Sequence, residues 1–172
     1  TNNGLDKLDM SGKFTHFKSI PGDSTVLTEN SLLHLDYDPA GYLWICTYLT
    51  GLNRLNLNTR QVKQLIKDQK NPTSLSGEEQ VFYTYKDRAG DLWIGAGLGL
   101  SKYNYATESF KLIARGFVPV NMFEDRQGNF WIGTLFEGVL KLNRETGEWR
   151  RFNDGHPLSQ GAVTDILEDD EG

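Results

Sequence analysis

Asp87-Arg-Ala-Gly-Asp-Leu-Trp-Ile-Gly-Ala96 decides the fold, because the chain carries it more than once. Asp38-Pro-Ala-Gly-Tyr-Leu-Trp-Ile-Cys-Thr47 and Asp125-Arg-Gln-Gly-Asn-Phe-Trp-Ile-Gly-Thr134 repeat it, and Asp169-Asp-Glu-Gly172 begins it again. Gly41, Gly90, Gly128 and Gly172 are 49, 38 and 44 residues apart. A period of that size belongs to propeller or solenoid architectures. A second element follows each copy: Gly51-Leu-Asn-Arg-Leu-Asn56, Gly99-Leu-Ser-Lys-Tyr-Asn104 and Gly138-Val-Leu-Lys-Leu-Asn143, with Gly4-Leu-Asp-Lys-Leu-Asp9 ahead of them all. A short aromatic or branched stretch closes each unit, at Lys13–Phe17, Val62–Leu65, Phe110–Ile113 and Trp149–Phe152.

Four short segments per unit, separated by Gly, Asn and Asp, read as strands and turns, and no helical period competes. In Asp-x-x-Gly the carboxylate suits the first position of a type I turn, and the glycine supplies the positive φ that closes a hairpin. Leu43-Trp44-Ile45 is apolar at consecutive positions, which a sheet with one wet face would not tolerate. Sheets sandwiched between neighbours would tolerate it, as the blades of a propeller are. The expected fold is therefore all-β: a β-propeller segment of four-stranded antiparallel blades. Strands run from A, innermost, to D at the rim, with A spanning Val81 to Lys86 in the clearest unit. Antiparallel alternation puts the D–A and B–C connections on one face and the A–B and C–D turns on the other. The expected division is 1–17 for the outer strands of a truncated blade, blades at 18–66, 67–114 and 115–152, and 153–172 for an inner strand, Val163 to Glu168. Beginning and ending within a repeat, the chain reads as a piece of a longer protein. Its two uncovered flanks are expected to drive self-association, the alternative being a small closed ring with one incomplete blade.

Composition narrows the function. The 172 residues include 18 basic and 23 acidic side chains, a net charge of −5, which argues against a nucleic-acid binder needing a basic face. No apolar run nears the ~18 residues of a membrane span, so no membrane contact is expected of this segment. The single cysteine, Cys46, excludes an internal disulfide and a cysteine-cluster metal site. No cofactor is expected, since no phosphate loop, dinucleotide fingerprint or nucleophile elbow occurs.

The pattern Asp-x-x-Gly-x-Leu-Trp-Ile-Gly-Thr followed by Gly-Leu-x-x-Leu-Asn resembles the two-component regulator propeller repeat, and Asn71-Pro-Thr-Ser-Leu-Ser76 is similar to that family's linker. Cys46 departs from it, standing where Gly95 and Gly133 stand in the other units. The resemblance implies the periplasmic sensor region of a Bacteroidetes hybrid two-component system. In that family, repeated units form two large propellers ahead of a β-sandwich, a membrane helix and a histidine kinase, and respond to oligosaccharides.

Candidate residues divide by their place in the repeat. Trp44, Trp93 and Trp131 could stack on sugar rings, but a fixed place in strand B favours packing between blades. Asp38, Asp87 and Asp125 sit one per blade in separate turns with Gly41, Gly90 and Gly128, a structural motif that cannot converge on one ion or bond. His16, His34 and His156 share no metal-ligand spacing, and Cys46 suits a small buried hydrophobe. A ligand site is expected on the face of the D–A and B–C connections. Its candidates are Tyr48 and Thr50, Phe136 and Glu137 after strand B, and Arg115 and His156 in D–A connections. The leading expectation is a non-catalytic sensor segment recognising an oligosaccharide. The alternatives are a scaffold for protein contacts and a propeller enzyme similar to streptogramin lyase or the quinoproteins.

Overall fold

The computed structural model describes residues 3–75, 80–152, 155 and 161–171. Strands β1 (Leu5–Leu8) and β2 (Phe14–Phe17) form a two-stranded ladder. Three four-stranded antiparallel sheets follow, each in simple meander order. The first contains β3 (Leu32–Asp38), β4 (Tyr42–Thr47), β5 (Leu52–Asn56) and β6 (Val62–Leu65). The second contains β7 (Val81–Lys86), β8 (Leu92–Ala96), β9 (Gly99–Asn104) and β10 (Ser109–Arg115). The third contains β11 (Pro119–Glu124), β12 (Phe130–Thr134), β13 (Val139–Leu142) and β14 (Trp149–Arg151). These sheets are the blades that the repeats imply.

Two turn chemistries close them. In the A–B turns, Gly41, Gly90 and Gly128 adopt φ of 91°, 86° and 81°, and each donates its N–H to the carbonyl of the motif aspartate three residues back. In the C–D turns, the side-chain oxygens of Asn56, Asn104 and Asn143 each accept two backbone N–H bonds from residues two and three further on. The fourth residue after each asparagine is left-handed: Arg60, Glu108 and Gly147, at φ 63°, 50° and 76°.

Inner strands β3, β7 and β11 lie side by side, and each carries a bulge at the same place, between Leu32 and His34, Val81 and Tyr83, and Pro119 and Asn121. The approach is close enough to explain a motif residue. A Cβ on Gly95 would lie 2.9 Å from Pro119, and one on Gly133 would lie 2.3 Å from the Val163 carbonyl. Cys46 stands at the equivalent place in the first blade, fully buried, its thiol 3.9 Å from the Thr84 hydroxyl.

The core is a set of layers between sheets. Trp44, Cys46, Leu52 and Leu65 of the first blade meet Val81, Leu92, Ile94, Tyr103 and Phe110 of the second. Trp93 and Leu100 of the second meet Met122, Phe130, Ile132 and Leu140 of the third. Leu32, Ile45 and Leu55 meet Leu5 and Phe17 of the two-stranded ladder across Leu27. Consecutive apolar residues along strand B are thus buried on both faces of the sheet.

Three expectations are corrected. Residues 163–168 run along the third blade but form no strand: the backbone contacts nearby are Val163 N–H to Thr134 O at 2.8 Å and an isolated bridge between Gly161 and Glu137. An inner strand takes its ladder from strand B of its own blade, and no described residue supplies one here. Arg115 ends β10 instead of lying in a connection, which reduces the D–A connection there to 116–118. Trp131 is only partly buried, with its ring against Phe152 of its own blade at 4.9 Å, whereas Trp44 and Trp93 lie against the following blade.

Candidate ligand-binding face

One face gathers the connections proposed for recognition. The B–C turns are tied back to the D–A connectors through Tyr48 N–H to Ser31 O, Gly97 N–H to Gln80 O and Leu135 N–H to Val118 O, at 2.9–3.0 Å. The chain path is thereby fixed on all three blades. Glu29 accepts the backbone N–H groups of Leu49 and Thr50, which holds the first B–C turn open. The Thr47 and Thr134 hydroxyls donate across the equivalent turns to Gly51 O and Gly138 O.

Under two connectors lie clefts at equivalent places. That of the second blade has a volume of about 590 Å³, with Lys67, Asp68, Asn71 and Arg115 around apolar Leu98 and Leu112. That of the first blade has about 570 Å³ and includes Ile20, Thr28, Thr50, Gln64 and Ile66. Leu27 and Leu75 anchor the two connectors beneath the surface.

The predicted residues are distributed over this face and do not converge on one point. Thr50 lines the first cleft and Arg115 the second. Tyr48 is 46% exposed on the first blade and Phe136 is 64% exposed on the third. Glu137 is engaged: its N–H bonds the Thr134 hydroxyl and its carboxylate pairs with Arg151. His156 lies outside the described residues. The sequence reading missed that Leu49, Leu98 and Phe136 occupy the same repeat position and are all exposed. Aligning the turns Thr47–Gly51, Ala96–Gly99 and Thr134–Gly138 would have found them.

The opposite face holds the motif aspartates. Asp38 and Asp87 are buried, and each motif aspartate bonds N–H groups of its own turn. Each also accepts the indole N–H of the tryptophan six residues on: Trp44 to Asp38 at 3.3 Å, Trp93 to Asp87 and Trp131 to Asp125 both at 2.8 Å. The motif therefore couples a turn to a packing side chain. Burial works against the Asp38 carboxylate, but hydrogen bonds from Lys86, Ala40 N–H, Tyr105 and Trp44 hold it down at about 2. Burial and the neighbouring Asp38 charge push Asp36 up to about 6. His34 stacks on Tyr83 with centroids 3.9 Å apart, and burial lowers its pKa. Burial drives the Cys46 thiol far above its ordinary value, so it is no nucleophile. Among the described residues, no three His, Cys, Asp or Glu side chains gather as a metal site.

Comparison with known proteins fits this geometry. Residues 113–136, running from the end of β10 through the β11–β12 hairpin, match the two component regulator propeller family. That stretch is similar to one two-component regulator propeller repeat. Similar crystal structures come from B. thetaiotaomicron. The extracellular domain of BT3049, described as a hybrid two component system, aligns with TM-score 0.79 at 22% identity, over 92% of this chain and 23% of its own. That of BT4673 aligns with TM-score 0.77 at 19% identity, over 99% and 23%. A second BT4673 structure gives 0.67 at 24%, over 95% and 21%. The chain thus spans less than a quarter of the length of these structures, and the likeness is one of fold. Among curated proteins none matches.

Proposed function

We propose that this regulator propeller segment is a non-catalytic part of a two-component sensor on the outer side of the membrane, and that its D–A and B–C face contacts an oligosaccharide. The parent chain in this reading carries the histidine kinase. Family membership of residues 113–136 and the extracellular origin of the similar folds support the sensor role. The observation that carries ligand contact is the cleft of about 590 Å³, where Lys67, Asp68, Asn71 and Arg115 border Leu98 and Leu112. Hydrogen-bonding groups beside a small apolar floor suit a ring that is polar at its edge and apolar on its face. Calorimetry of the sensor region against a panel of glycan oligosaccharides tests the proposal. Heat with one glycan, weakened by Arg115→Ala, supports it.

The second reading is a scaffold for protein contact, favoured by the exposed apolar residues Leu49, Leu98 and Phe136 at three blade tips. Silence with every glycan, alongside capture of a protein partner lost in Phe136→Ser, would favour it.

A further inference from the structure

Around each motif aspartate, the contacts between neighbouring blades use the same three positions, but the side chains filling them differ; Arg54 and Lys63 make a further pair with Glu108 between the first two blades. Between the first and second blades, the A–B turn offers Pro39, which has no N–H. The last residue of the next inner strand is Lys86, which donates to Asp38 Oδ1 at 2.6 Å. The residue after the C–D asparagine is Tyr105, whose hydroxyl donates to Asp38 Oδ2 at 2.7 Å.

Between the second and third blades all three change together. The turn offers Arg88, whose N–H is taken by Glu124 Oε2 at 2.9 Å, Glu124 being the last residue of the next inner strand. Arg144 then holds the C–D position, reaching Asp87 Oδ2 at 3.1 Å and Glu124 Oε1 at 2.9 Å. Beyond the third blade the turn offers Arg126, and its N–H is taken by the Glu168 carboxylate at 3.0 Å.

The physical logic is a choice between two ways of balancing a buried carboxylate. Where the turn has no N–H, a glutamate on the facing strand would confront Asp38 with nothing to accept from, so a lysine stands there and a neutral phenol suffices beside it. Where the turn has an N–H, a glutamate takes it and an arginine neutralises the two carboxylates. Removing one partner leaves an uncompensated buried charge.

We propose that these three positions form a matched set that specifies which blade can follow which: Pro39 with Lys86 and Tyr105, Arg88 with Glu124 and Arg144. Glu168, accepting the Arg126 N–H, repeats the turn contact of the second kind of set beyond the third blade. The set makes blade order a property of side-chain pairing at the turns, where Tyr105 and Arg144 also pack on Trp44 and Phe130 of the apolar layers.

Transplanting one set tests this. Lys86→Glu alone should lower the melting temperature of the full chain by roughly 5 °C or more. The triple variant Pro39→Arg, Lys86→Glu, Tyr105→Arg installs the second set between the first two blades, and should recover at least half of that loss. Lys86→Gln supplies a milder baseline should Lys86→Glu not fold, the triple variant then melting at or above it. A costless Lys86→Glu, or a triple variant no better than the single one or unable to fold where Lys86→Gln does, overturns the proposal.

Discussion

The carboxylates of Asp36 and Asp38 lie two residues apart on β3 and are shifted in opposite senses, Asp36 up by burial and the Asp38 charge, Asp38 down by its donors. Asp38 is held near 2 by its donors, so the stability it contributes is complete above the unfolded value of about 4 and is lost as pH falls toward 2. Asp36 is raised to about 6, so its ionisation costs stability as pH rises from about 4 through 6, and the penalty persists above. Together these two place the most stable pH of the first blade pair near 4. Asp36→Asn should raise the urea midpoint at pH 7.5 and lose that advantage below about pH 4. An equal gain at both pH values would refute the assignment. Tryptophan fluorescence gives the readout, since Trp44 sits within the same interface.

At the scale of the element, the C–D turns offer a sharper comparison. Arg60 is exposed and left-handed where the third blade has Gly147. Arg60→Gly should therefore stabilise the chain, by up to about 1 kcal/mol, because a Cβ disfavours that conformation. Gly147→Ala should destabilise it, since its Cβ would fall 2.4 Å from the Ile113 carbonyl. Thermal melts of the two variants should move in opposite directions. Much of this level was legible in the sequence. Asp-x-x-Gly marks the turn and the Gly-Leu element the start of strand C, because each depends on contacts within one repeat, while the unbroken apolar run of Leu-Trp-Ile marks a strand covered from both neighbours. The bond from Trp93 to Asp87 was legible in principle from a constant six-residue spacing. The failure of residues 163–168 to form a strand was not, because a strand's ladder depends on a partner and not on its own pattern. The clefts escaped the sequence as well, since they arise from how the connectors at 18–31 and 67–75 arch over the blades. The repeat period hides the extra length of β10, so the sequence pattern alone places Arg115 in a connection.

Across the whole molecule, the two-stranded ladder covers the first blade only in part, and the third blade is partly uncovered on its far side. Leu33, Leu35 and Tyr37 project exposed from β3, and Trp131 is only partly covered on the far side. The 172-residue chain alone should therefore self-associate through these flanks, its mass by light scattering rising with concentration. A monomer at every concentration would count against it. Leu35→Asp should weaken the association without lowering the melting temperature appreciably, as the side chain supports no layer within one copy. The overall architecture was legible because a 44-residue period with uniformly apolar B strands has few ways to bury itself. Which residues would be left uncovered was not, since that follows from the neighbours each sheet has.

Because the hydrophobic joints belong to pairs of sheets, no single storey of this building owns its own foundations. Lifting one out would bring together two walls already shaped for such a partner, and only the ionic latches at their lower corners would disagree. On the proposed pairing, a unit is lost or gained without cost only where the turns of its new neighbours match.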